Sequence, residues 1–270
     1  QDPLPIDGAR LTRLILPFPD KARKTVFGSL VVDPGSGDLL LGEENGNRIY
    51  RLGPDGHLRP LALGLRLLVG GSPMALDGKR RLVILDLASS LTRWRSEDTL
   101  PRSLESLGEG EQEGPLIFRL DLDEPLQGPR RLDLRRPIFP KSDNGPRVEG
   151  AARPVLPWLI SVVVTPSGVP VFLSTLGEVY RLTDQAELRL VTRLPSGHYH
   201  RPNMAVGGDG AVYVSAGFHI RNVYRVTLDG RATIVARDLA DPAGIAVDPS
   251  GAVYVAEAAL HRILRRTPGR

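Results

Sequence analysis

The chain has 270 residues, 41 % of them hydrophobic, with no cysteine and a formal net charge of +4. That length and composition suit one large folded domain and exclude a disordered chain. The missing thiols exclude a disulfide framework, a cysteine-ligated zinc or iron–sulfur centre, and a thiol nucleophile.

Aromatic residues make up only 5 %. Nucleic-acid binding wants basic stripes interleaved with aromatics, so no nucleic-acid partner is expected. No apolar run approaches the ~18 residues of a membrane span, so no transmembrane segment is expected. The chain begins at Gln1, not Met. We read this as removal of a signal peptide, which implies a secreted or periplasmic location.

The 29 glycines and 24 prolines are spread out and mark frequent turns. Between them runs a repeat. In chain order its copies cover residues 28–52, 73–95, 160–182, 202–226 and 243–266. The clearest reads Ala-Gly-Ile-Ala-Val-Asp-Pro-Ser-Gly-Ala-Val-Tyr-Val-Ala-Glu over 243–257. A short β-branched run is followed by an Asp-Pro-x-Gly type of turn, where Pro presets φ and Gly accepts positive φ. A second strand follows, then a third with alternating pattern such as Arg48-Ile-Tyr-Arg51. The better copies add a fourth, Thr233–Ala236. Four-stranded antiparallel units repeated around a ring predict an all-β fold, a β-propeller.

Matching positions are Asp33, Asp77, Thr165, Gly207 and Asp248, at intervals of 44, 88, 42 and 41. The interval of 88 is twice 44, so a degenerate unit is expected there, built on Leu116–Leu122 and Arg131–Leu134. Six blades follow. The rival account is five blades, with 96–114 and 136–157 as long insertions. The last copy stops after its third strand, and Leu11–Leu16 is the natural candidate for its fourth. One domain over 1–270, closed by that strand, and a monomer are expected.

These repeats resemble the NHL-repeat family and the gluconolactonase/regucalcin superfamily of six-bladed propellers. The resemblance implies a divalent cation at the central channel, held by Glu, Asn and Asp. The corresponding positions here are Phe27, Pro202 and Ala243, none of which can bind a hard cation, with Asn203 one place away. A metal site of that design is therefore not expected, and the cofactor, if any, is open.

In a propeller the loops entering each innermost strand share one face with the loops between second and third strands. The Asp-Pro-x-Gly turns lie on the other face, so Asp33, Asp77 and Asp248 are expected to cap their own turns. Candidate ligand-binding residues on the first face are His198, Tyr199, His200, Arg201, Trp158, His219, Asp241, Glu44 and Glu257. His198 and His200 would point the same way if extended. With His219 they are candidate metal ligands or bases, or else loop imidazoles bonded to carbonyls. The stretch around His198–Asn203 is also similar to segments of quinone-dependent sugar dehydrogenases and of peptidyl-amidoglycolate lyases. The sequence therefore supports two readings. One is an exported propeller binding a small molecule or peptide. The other is a lactonase- or lyase-type enzyme with a divalent metal held differently.

Overall fold

Apolar residues on both faces of most strands dictate the architecture, because each sheet must then be covered on both sides. The computed structural model describes residues 27–43, 46–68, 73–86, 116–125, 130–131, 159–174, 176–195, 199, 203–217 and 220–267. They form five antiparallel sheets. Blade 1 holds β1 (Phe27–Val32), β2 (Leu39–Glu43), β3 (Gly46–Leu52) and β4 (Leu58–Leu68). Blade 2 holds β5 (Met74–Leu76), β6 (Arg81–Asp86), β7 (Leu116–Asp121) and β8 (Arg130–Arg131). Blade 3 holds β9 (Leu159–Val164), β10 (Pro170–Ser174), β11 (Glu178–Leu182) and β12 (Leu188–Arg193). Blade 4 holds β13 (Asn203–Val206), β14 (Val212–Ser215), β15 (Val223–Val226) and β16 (Ala232–Ala236). Blade 5 has three strands, β17 (Pro242–Val247), β18 (Val253–Glu257) and β19 (Arg262–Arg266).

Six blades are not what the described residues form; the five-blade alternative matches them. Leu116–Asp121 is not the start of a new unit. It is the third strand of blade 2, paired with β6 from Arg81↔Asp121 to Asp86↔Leu116. Among the described residues the interval of 88 therefore holds one four-stranded sheet. The expected third strand at 91–95 and the proposed closing strand at 11–16 lie outside the described residues.

First strands of successive blades lie side by side, β1 by β5, β5 by β9, β9 by β13 and β13 by β17. Period-two alternation then sends neighbouring residues into different seams. In β6, Leu82 and Ile84 pack with Leu40 and Ile49 of blade 1. Val83 and Leu85 pack with Phe172 and Tyr180 of blade 3. Val171 and Leu173 meet Val212 and Val214 between blades 3 and 4. Tyr213 and Val223 meet Val253 and Val255 between blades 4 and 5. Each such buried side chain contributes about 1.5–3 kcal/mol.

The turns behave as the repeat predicts. Asp77 Oδ1 accepts the N–H groups of Lys79 and Arg81, both at 2.9 Å. Asp248 Oδ1 accepts those of Ser250 and Ala252, also at 2.9 Å. Asp33 Oδ1 accepts Gly35 N–H at 3.0 Å. These turns end on a left-handed residue: Gly37, Gly168, Gly210 and Gly251 have φ of 77–83°. Blade 2 has Arg80 there instead, at φ 55°. Its guanidinium explains the exception: Nη2 lies 2.7 Å from Asp33 Oδ2, and the other amino group reaches Asp123. Two blades are thereby tied across their turn face.

Asp33 is fully buried. The Arg80 hydrogen bonds hold its carboxyl at about 2 against the cost of burial. A depressed carboxylate stabilises the fold fully above its unfolded value of about 3.9, and that contribution fades as pH falls through the folded value. Arg80→Ala is therefore expected to move the acid-unfolding midpoint, followed by circular dichroism, to higher pH. An unchanged midpoint would contradict this role.

Candidate functional site

The starts of the innermost strands and the ends of the second strands share one face. Register places equivalent residues there in each blade. Phe27 pairs with Glu43, Leu159 with Ser174, and Pro242 with Glu257. Asn203, the first residue of β13, pairs with Ser215, and its Nδ2 donates to the Ala243 carbonyl of the adjacent innermost strand. The positions that the resemblance assigns to a cation thus show an aromatic ring at Phe27 and a methyl group at Ala243. Phe27 stands edge-on to Tyr50, with centroids 5.8 Å apart. Among the described residues no three His, Asp or Glu side chains come together as a metal site.

Of the residues singled out from sequence, Glu44, Trp158, His198, His200, Arg201, Pro202 and His219 lie outside the described residues. Tyr199, Asp241 and Glu257 lie within them and are far from equivalent. Tyr199 is 1 % exposed and belongs to the seam between blades 3 and 4. Its hydroxyl donates to the Pro195 carbonyl at 3.0 Å, and burial pushes the phenol pKa up. Its ring fills the space over Gly177, where an added Cβ would lie 2.4 Å from Cε2. Gly177 also has φ of 82°, so the backbone and the packing both ask for glycine there.

Glu257 is 2 % exposed. Oε2 accepts from Arg262 Nε at 2.6 Å, and Oε1 accepts the Ala240 N–H. Burial raises its pKa, but Arg262 and the Ala240 amide outweigh it, so the carboxyl titrates below its ordinary value. Glu257 thereby fixes the chain entering blade 5. Asp241 helps through its backbone: in the left-handed region at φ 58°, its carbonyl accepts Ala258 N–H at 2.9 Å.

Three polar groups on or near this face were not singled out from sequence. Arg221 Nε donates to Leu239 O at 3.1 Å and holds the crossing from β16 to β17. Glu178 is buried and accepts the Tyr180 hydroxyl at 2.8 Å, with Arg193 Nε at 3.3 Å. The spacing Glu178-Val-Tyr180 was the available signal, since period two puts both on one side of the strand. Ser161 in β9 is fully buried, with its hydroxyl lacking a protein partner.

Tyr199→Ala is expected to lower stability by about 3–5 kcal/mol in denaturant unfolding, the usual cost of removing a buried ring. Tyr199→Phe should cost only about 1 kcal/mol, for the lost hydrogen bond. A loss below ~1 kcal/mol for the alanine variant would place Tyr199 outside the packed seam.

No family model and no curated sequence matches the chain. Solved structures do. A streptogramin B lyase superposes with a TM-score of 0.58 at 15 % identity, covering 93 % of this chain and 71 % of that one. A gluconolactonase from Xanthomonas campestris gives 0.53 at 17 % identity, covering 90 % and 76 %. A nidogen/laminin complex gives 0.59 at 12 %, covering 90 % and 76 %. A virginiamycin B lyase from Staphylococcus aureus gives 0.56 at 14 %, covering 90 % and 70 %. At these identities the likeness is one of fold. The chain shares the β-propeller fold of these structures.

Proposed function

We propose that this chain is an exported propeller that binds a small molecule or peptide on its channel face and does not transform it. One observation carries the reading. The innermost strands present Phe27, Asn203 and Ala243 at that face, and the Asn203 amide donates across to the next strand. Aromatic, amide and methyl groups suit a neutral polar or apolar ligand, whereas a hard cation needs several oxygen ligands. Glu257, a carboxylate of the same face, has both oxygens engaged by Arg262 and Ala240. His198, His200, Arg201, Trp158 and His219, which lie outside the described residues, are proposed from the sequence alone as further ligand contacts.

The lyase and lactonase structures favour a competing enzymatic reading, in which His198, His200 and His219 would hold a metal. Two measurements on protein purified without an affinity-metal step separate them. Elemental mass spectrometry is expected to show no stoichiometric metal. A thermal-shift panel of quinupristin, gluconolactone and short linear peptides is expected to give a saturable shift. Chromatography should then recover the ligand unchanged, and His200→Ala should abolish the shift without changing the unliganded melting temperature. Conversion of a ligand, or near one equivalent of metal, would overturn the non-catalytic reading.

A further inference from the structure

In every blade the third strand places an arginine at the same register. Arg51 lies opposite Leu40, Arg119 opposite Val83, Arg181 opposite Val171, Arg225 opposite Tyr213 and Arg265 opposite Tyr254. Each partner is the residue next to the pair that closes the first hairpin, so all five arginines lie toward the turn face. The blades therefore serve as controls for one another. Arg225 Nη2 donates to Asp209 Oδ2 at 2.5 Å. Arg51 Nε lies 3.1 Å from Asp38 Oδ2. The Arg265 guanidinium stands over the Tyr254 ring, 5.9 Å from its centroid. Arg119 and Arg181 make no ion pair with any described residue.

Of these two, Arg119 alone has a guanidinium nitrogen, Nε, that is buried and without an acceptor. Arg51 has such nitrogens too, but Asp38 stands beside them. Burial and the nearby Arg81 guanidinium push the Arg119 pKa down, against a smaller pull upward from Asp77. The carboxylates of blade 2 are turned to other work. Asp77 Oδ2 accepts Arg81 Nε at 2.8 Å, and its Oδ1 accepts two backbone N–H groups. Asp121 Oδ1 accepts Asp123 N–H at 2.9 Å, and Asp121 forms no ion pair with Arg119. Across the ladder, the residue paired with Arg119 is Arg130. Asp209, the partner of Arg225, sits just before the left-handed Gly210 of its turn; in blade 2 the residue before the left-handed Arg80 is Lys79. Blade 2 thus has a cation where blade 4 has the counterion. A guanidinium held partly out of water without a counterion is costly, and its planar fork of donors matches a carboxylate.

We infer that Arg119 is the centre of a second binding site, on the turn face, which takes an external carboxylate in the role that Asp209 plays for Arg225. Period two puts Arg119 on the same side of β7 as Ile117, which packs in the seam between blades 2 and 3, so the site lies at the turn-face end of that seam. The two equivalent arginines with an anionic neighbour both have an aspartate, which selects a carboxylate as the occupant. Arg119 is only half-buried, so a ligand can reach it. The carboxylate can belong to a free acid or to an acidic side chain of a peptide, and the recognition chemistry is the same. This site lies on the face opposite the channel and stands apart from the ligand reading above.

Nuclear magnetic resonance of the full chain with nitrogen-15 arginine tests it, following the Arg119 Nε–Hε signal, identified by its loss in Arg119→Lys. Succinate and the peptide acetyl-Ala-Asp-Ala-amide are titrated separately at constant ionic strength. A saturable shift of that signal with either supports the site, and their relative affinities assign the source of the carboxylate. Lys79→Asp, which rebuilds the blade 4 arrangement, is expected to move the signal without ligand and to weaken binding at least about 10-fold. Arg231→Asp, the same reversal of charge at an exposed position of blade 4, should leave affinity within about 2-fold, because exposed charges far apart are screened. A parent protein whose Arg119 signal does not shift, or shifts equally with chloride, would overturn the inference even if the variants fail to fold. So would equal weakening by Lys79→Asp and Arg231→Asp, which would reduce the effect to overall charge.

Discussion

Each blade of this protein is apolar on both faces, so no blade can be stable without a neighbour on each side. Everything else in the fold answers to that constraint. β6 shows it most plainly, because Leu82 and Ile84 serve one seam while Val83 and Leu85 serve the next. Polar groups sit mainly where strands end. On the turn face, aspartates cap the turns, and Arg80 of blade 2 reaches the buried Asp33 of blade 1. On the opposite face, Glu257, Arg221 and Asn203 tie the chain between successive innermost strands.

The same constraint shapes the functional face. Its polar side chains are partly consumed in holding blades together, as the two engaged oxygens of Glu257 illustrate. The proposed recognition would fall to the rim of the channel. This division explains why propellers that look alike host unrelated activities: the seams are shared, and the loops are not.

Much of this was legible in the sequence, for identifiable reasons. Aspartate-led turns recur because only certain residues satisfy the tight turn, so Asp33, Asp77 and Asp248 were readable as caps. The blade count was not readable from spacing. One described blade spans the interval that equals two repeats, and only the pairing of β6 with β7 shows it. The candidate site was harder still. Tyr199 stood in a polar, histidine-rich stretch that resembles a binding loop, yet its ring is packed over Gly177. Whether an aromatic side chain faces a channel or a seam depends on the blade beside it, which local sequence does not encode. Glu43 was not singled out from sequence, yet it is buried, with Oε2 lacking a hydrogen-bond partner among the described residues.

The central claim is that Leu116–Asp121 completes blade 2 and does not found a separate one. The absence of cysteine allows a direct measurement, because Arg81→Cys with Asp121→Cys would introduce the only two thiols. Paired residues across antiparallel strands lie about 4.5–5.5 Å apart at Cα, within disulfide range. Mild oxidation should give an intramolecular disulfide in the folded monomer, detected as an Arg81→Cys–Asp121→Cys linked peptide by mass spectrometry. Two free thiols under the same conditions, in protein that retains its β-sheet spectrum, would contradict the five-blade account.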